Sequence, residues 1–216
     1  MIMKIKWLLR KYLCANICIA CSESVEFPKY LCSNCKEELD KTKMHAPKAV
    51  SYKNRSYLIH CVYKYQGPGG DIAKALKYAY KFQATEFIAA EIAKMIKRKH
   101  FGKIDYITYV PMTKYKEVKR EFSQTQLIAE QLSKILNIKT KKLLTKPFET
   151  KEQHKLTHEK RKNNLNRAFR AKKKCKGKNV ILIDDVCTTG STLCECSQTL
   201  HKKGVNKVIL VSFVGT

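Results

Sequence analysis

No stretch of this 216-residue sequence is apolar over the ~18–20 residues that a membrane-spanning helix needs, which argues against an integral membrane protein. Glycine (8) and proline (5) are scarce, which argues against collagen-like or low-complexity material. No internal repeat is visible. Acidic residues are few: 18 Asp+Glu face 44 Lys+Arg, for a net charge of +26. The first residues make a poor secretory signal, so a secreted protein is not expected. Arg10 and Lys11 interrupt the apolar N-terminus, and no continuous apolar segment precedes Cys18-Ile19-Ala20-Cys21, which weakly resembles a lipoprotein cleavage site. The ten cysteines therefore read as reduced thiols of a cytoplasmic protein, some of them bound to metal. A hydrophobic content of 44 % is ordinary for a globular protein and too high for a disordered tail.

Five cysteines fall between Cys14 and Cys35. This clustering marks residues 1–40 as a small module with a short N-terminal helix, residues 41–55 as a polar linker and residues 56–216 as the main domain. In that domain short β-like runs alternate with helical patterns. Strands are expected at Tyr57–Tyr65, Ile104–Val110, Val180–Ile183 and Lys207–Val214. Helices are expected at Asp71–Tyr80, Glu86–Lys97, Ser123–Leu136 and Ser191–Lys203. The alternation predicts an α/β fold with a mainly parallel sheet flanked by helices.

Cys18-x2-Cys21 and Cys32-x2-Cys35 are two CxxC pairs ten residues apart. Each tight turn lets two thiolates reach one ion, and two turns supply the four sulfurs of a tetrahedral zinc site. The segment holds few large apolar residues, so metal binding is expected to supply folding energy. A closed four-sulfur site leaves no open position for substrate, and the zinc is read as structural. Cys61, Cys175, Cys187, Cys194 and Cys196 read as small buried apolar residues.

The richest segment is Val180-Ile-Leu-Ile-Asp-Asp-Val-Cys-Thr-Thr-Gly-Ser-Thr192. Four apolar β-formers predict a buried strand, with Asp184 and Asp185 at its C-terminal end, where open α/β sheets bind ligands. A loop of hydroxyl residues around Gly190 then opens a helix, whose N-terminal amides and dipole favour an anion. A phosphate would sit in the loop, and the carboxylates would accept hydrogen bonds from the vicinal hydroxyls of a ribose. No Gly-Lys-Ser/Thr follows, which disfavours a nucleotide triphosphatase.

This run resembles the phosphoribosyl pyrophosphate (PRPP) signature of type I phosphoribosyltransferases. The resemblance implies that Asp184 and Asp185 hold the PRPP ribose, and that Cys187, Thr188, Thr189, Gly190, Ser191 and Thr192 wrap its 5′-phosphate. Nearly the whole chain is similar to the ComF family of competence-associated proteins, which place a CxxC zinc module before such a domain. Tyr63-x-Tyr65-x-Gly67-Pro68, Asp105–Met112, Arg120-Glu-Phe-Ser-Gln124 and Arg161-x-x-Asn164-Leu165 carry that likeness. Pro111, Met112 and Thr113, with Lys114 and Arg120, are then expected to cradle the diphosphate, and Mg²⁺ to bridge diphosphate and ribose oxygens. Glu121 and Ser123 stand where the family has Gly and Asn. An acidic side chain at 121 would repel a polyphosphate if turned inward. No catalytic residue and no acceptor pocket is legible.

Residues 94–178 hold 26 Lys+Arg against 7 Asp+Glu, or +19 of the total +26, and aromatics are interleaved. Cations with rings suit single-stranded DNA, and Tyr115, Lys172, Lys173 and Lys174 are the expected contacts. The leading expectation is a ComF-like protein of DNA uptake that binds PRPP with Mg²⁺ and single-stranded DNA. A helicase of DNA uptake is a candidate partner of the zinc module. The alternative is an active phosphoribosyltransferase moving ribose 5-phosphate from PRPP to a small acceptor.

Overall fold

A computed structural model describes residues 17–26, 28–78, 82–113, 123–147, 168–172 and 175–216. In chain order the elements are α1 (Ser33–Lys41), β1 (Lys48–Tyr52), β2 (Arg55–Lys64), α2 (Gly67–Tyr78), α3 (Phe82–Lys99), β3 (Tyr106–Tyr109), α4 (Gln124–Leu136), β4 (Leu144–Thr145), β5 (Arg170–Ala171), β6 (Asn179–Cys187), α5 (Ser191–His201) and β7 (Lys207–Gly215). The main sheet has the order β1-β2-β7-β6-β3. Strands β2, β7, β6 and β3 are mutually parallel, and β1 closes one edge antiparallel. A separate two-stranded sheet pairs β4 with β5.

Both faces of the sheet are covered, as a parallel sheet requires. In β6, Ile181 and Ile183 face a core shared with α2, α3 and α4, while Val180 and Leu182 face a second core shared with α5 and the β4–β5 region. All four are fully buried. The chain is therefore an α/β protein with a mainly parallel sheet flanked by helices, and a small four-cysteine module at its N-terminal end. The parallel strands end at Lys64, Gly215, Cys187 and Tyr109, all on one edge of the sheet. Helix α5 starts at that edge and returns to the opposite one, because it joins two parallel strands.

Two stretches differ from the sequence expectation. Residues 48–52, read as part of a linker, form β1, whose exposed positions are the small residues Ala49 and Ser51 and whose inward end is Tyr52, 3 % exposed. Strand β6 also runs past Ile183: Asp184 pairs with Ser212, and pairing continues to Cys187 with Gly215. The two carboxylates thus lie within the strand, carried there by a partner strand of equal length.

The cysteine module is not a separate body. Cys18, Ile19, Leu31, Cys35 and Leu39 sit in the same core as Tyr63, Ile72, Leu76, Ile88 and Phe213. The Tyr30 hydroxyl donates to Glu86 at 3.1 Å, and its ring lies 5.9 Å from that of Phe87. The few large apolar residues of the module fold against the domain. Leu39→Ala is therefore expected to destabilise the whole chain by ~2–5 kcal/mol, seen as a shifted urea midpoint in one transition. A separate early transition with an unmoved main one would show an independent module.

Candidate functional site

The loop after β6 is built around Gly190. Its φ is +75°, a left-handed conformation that side chains rarely adopt. A Cβ there would lie 2.6 Å from Ile59 Cδ1 and 3.1 Å from Val50 Cγ2. Gly190 thus lets the loop press against the β1–β2 hairpin and turn into α5. Thr189 Oγ1 accepts from the Ser191 amide at 3.3 Å and lies 2.9 Å from the Ser191 hydroxyl. Thr188 and Thr189 are exposed, with the Ser191 and Thr192 side chains half-buried beside them. Cys187 is 2 % exposed, and its side chain belongs to the core on the α5 face, so it offers the loop only its backbone.

Asp184 and Asp185 precede this loop, and both are partly buried. Asp184 Oδ1 accepts from the Asp185 amide at 3.0 Å, and Asp185 Oδ1 from the Val186 amide at 2.9 Å. Burial, and then the neighbouring Asp185 charge, push the Asp184 carboxyl well above the usual carboxylate range. A cation or hydroxyl donors arriving there would relieve that repulsion.

The end of β3 lies beside this site, since Tyr109 pairs with Ile183 and the Val110 amide donates to Ile183 O at 2.9 Å. Pro111, Met112 and Thr113 follow directly, so the sheet brings them to the same edge as Asp184–Thr192. Lys114, Tyr115, Arg120, Lys173 and Lys174 lie outside the described residues. Lys172 is exposed, and its amide donates to Leu143 O at 2.9 Å, next to the β4–β5 pair.

Lys48 is a site residue the sequence reading missed. Its ammonium donates to the Thr188 carbonyl and, at 3.1 Å, to the Thr216 hydroxyl. Thr216 in turn donates to Thr188 O at 3.0 Å. The first strand and the chain's last residue thus brace the loop from behind. No local pattern announces a contact across 140 residues.

The four cysteine sulfurs Cys18, Cys21, Cys32 and Cys35 lie within 4.8 Å of one another. A tetrahedral zinc with Zn–S of ~2.3 Å sets sulfurs about 3.8 Å apart, and Cys21 and Cys32 already stand at 3.8 Å. The Cys35 amide points at Cys32 Sγ, 3.5 Å away. Burial opposes ionisation of Cys18, but the amides of Cys21, Cys32 and Ala20 outweigh it and bring the thiol down to about 7. These four residues fit a structural zinc ion.

A family model of the phosphoribosyl transferase domain matches residues 87–216. The chain is 28 % identical over 212 residues to the DNA utilization protein YhgH of Escherichia coli (strain K12), covering 94 % of this chain and 92 % of that protein. It is 28 % identical over 205 residues to Competence protein F of Haemophilus influenzae, covering 89 % and 87 % respectively. Among solved structures, adenine phosphoribosyltransferase from Thermoanaerobacter pseudethanolicus matches with 15 % identity and a TM-score of 0.43, over 84 % of this chain and 99 % of that one.

Two outcomes are expected. Elemental analysis should find about one zinc per chain, lost in Cys35→Ser and retained in Cys61→Ser. Asp184→Asn should raise the melting temperature at neutral pH. The raised pKa means that Asp184 stabilises the fold only while protonated, and this contribution is lost as pH rises through its folded value. The gain of the Asn variant should therefore vanish in acid, below the ordinary carboxylate range. Scanning calorimetry against pH checks it.

Proposed function

Because the chain belongs to the phosphoribosyl transferase family, in its ComF branch, we propose that it binds PRPP with Mg²⁺ at the Asp184–Thr192 segment and single-stranded DNA on its basic surface, in DNA uptake or DNA handling. The observation that carries the PRPP half is the pair of carboxylates leading into a hydroxyl-rich helix N-terminus at the C-terminal edge of the sheet. Asp184 and Asp185 hold the ribose hydroxyls. The backbone from Cys187 to Thr192, with the hydroxyls of Thr188, Thr189, Ser191 and Thr192, holds the 5′-phosphate. Pro111–Thr113, with Lys114 and Arg120, cradle the diphosphate. Mg²⁺ bound with the diphosphate would bring a charge that is favourable beside Asp184, whose ionisation is opposed. The protein acts in the cytoplasm, where its thiols stay reduced.

The DNA half is supported by the names of the relatives and by the +19 concentrated in residues 94–178. Lys172, Lys173, Lys174 and Tyr115 are its proposed contacts. A helicase docking on the zinc module would meet the surface that Cys21, Glu23 and Ser24 expose, since Ile19, Leu31 and Leu39 face the domain.

A second reading follows from the matched family: transfer of ribose 5-phosphate from PRPP to a small acceptor. Pyrophosphate would leave ribose C1, and the loop and cradle would hold the two ends of the substrate while positive charge develops between them. Release of pyrophosphate in the presence of candidate acceptors tests it.

Calorimetric titration should show PRPP binding with Mg²⁺. The Asp184→Asn/Asp185→Asn variant should lose roughly 1.5–3 kcal/mol per carboxylate, and unchanged affinity would remove the assignment. Labelled single-stranded DNA should bind with an affinity that falls with salt at about 0.7 log units per log unit for each phosphate contact. Replacing Lys172, Lys173 and Lys174 by Gln should flatten that slope and leave PRPP binding unchanged.

A further inference from the structure

The opposite edge of the sheet holds a cavity of about 410 Å³, lined by Lys53, Arg55, Gln198, His201 and Lys202. This is the size of a small-molecule site. Its walls are the β1–β2 turn and the last turns of α5. Glu195 builds it. That side chain is 5 % exposed, yet it accepts from the Tyr52 hydroxyl at 2.9 Å and from the Lys53 ammonium at 2.7 Å, which ties the hairpin to the helix. Gln198 and Lys202 follow Glu195 by three and seven residues and therefore share its face of the helix. Arg55 is presented from the facing turn.

The cavity is strongly cationic. Glu195 and Asp105, acids at this edge, are each held by a lysine, Lys53 at 2.7 Å and Lys178 at 3.4 Å. Arg55 and Lys202 add charge that neither acid offsets, and Lys176 packs over Gly204 just past the helix end. His201 Nδ1 lies 3.1 Å from Val205 O. A ring that donates there from Nδ1 leaves Nε2 as its second hydrogen-bonding nitrogen. A helix C-terminus favours cations, which accounts for His201 and Lys202; Arg55 and Lys53 come from the hairpin and are not accounted for in that way. Among the described residues the exposed large apolar side chains are Leu58 and Ile135 alone. A protein partner would find little to anchor it, whereas a phosphate needs only the charges.

We propose that this cavity is a second phosphate site, at the far end of the sheet from the Asp184–Thr192 loop. It takes the phosphate of a nucleotide, either free or as a unit of a single DNA strand. Arg55 holds the phosphate oxygens bidentately, as the planar guanidinium allows, Lys202 adds its charge, and His201 offers a ring nitrogen. Gln198 offers an amide donor and acceptor to the sugar or base. The single-strand source rests on the DNA reading above; the free-nucleotide source does not. Helix α5, eleven residues long, sets the two sites roughly 16 Å apart.

The test compares the wild type with an Arg55→Gln/Lys202→Gln variant. Fluorescence anisotropy with labelled oligothymidylate gives affinity and salt slope, calorimetry gives PRPP affinity, and NMR of the His201 ring reports on thymidine monophosphate and on inorganic phosphate. The variant should bind the oligonucleotide about tenfold more weakly for each cation removed. Its salt slope should be smaller by about 1.4, with PRPP affinity unchanged. If the wild type binds the strand and the variant binds it equally, with the same slope, the cavity proposal is overturned while the DNA reading stands. If the wild type binds no strand but the nucleotide shifts the His201 ring, and the variant abolishes that shift, the cavity stands with free nucleotide as its ligand. No shift with nucleotide and no change in strand binding overturns it.

Discussion

The covering of both faces of β6 and β7 is the constraint from which the rest of the molecule follows. Each strand presents apolar side chains to two cores, and they pair in register from Asn179 with Lys207 to Cys187 with Gly215. A slip of one residue would draw Asp184 toward the covered part of the sheet, where an uncompensated carboxylate is costly. The register therefore holds the two carboxylates within the last residues of β6, Asp185 lying two residues before its end at Cys187. The position is not comfortable, as the raised Asp184 pKa records. A sheet built for apolar burial carries two acids near its C-terminal edge, and the ionisation of Asp184 is opposed until charge or hydroxyl donors arrive.

The β1–β2 hairpin and α5 work as two rails. At the upper end Lys48 braces Thr188, and Val50 and Ile59 meet Gly190. At the lower end Tyr52 and Lys53 meet Glu195, and Arg55 faces Lys202 across the cavity. Buried Glu195 is costly in isolation, but its two donors compensate it and fix the hairpin against the helix. Ligands on the two proposed sites would sit farther apart than the ~10 Å Debye length of ordinary salt. Their charges would scarcely sense each other, and both sites would fill together.

The four-cysteine module depends on the domain as well as on any metal its sulfurs hold. Ile19, Leu31 and Leu39 are too few to form a core, yet beside Tyr63, Ile72 and Phe213 they extend one. The four sulfurs then fix the loop that carries these side chains, and Tyr30 reaches over to Glu86. Metal binding and domain packing reinforce each other, because each orders the same short segment.

What could be read from sequence was what lies together in sequence. The CxxC pairs and the Asp184–Thr192 run are local, and their chemistry follows from spacing. Strand β1 was missed because five residues with only Val50 and Tyr52 as large inward side chains carry little pattern until Tyr52 is seen buried against α5. No local pattern marks Glu195 as buried, and its burial is visible only once the hairpin is placed. Lys48 joins its loop across 140 residues. The same limit applies to charge. Counting along the chain drew attention to residues 94–178, yet the cationic cavity is assembled from Lys53, Arg55, His201 and Lys202, all outside that stretch. Charge density along a sequence measures what a segment carries; a polyanion meets only what the fold brings to one place. Here that place is made by a turn and a helix end whose individual charges are unremarkable.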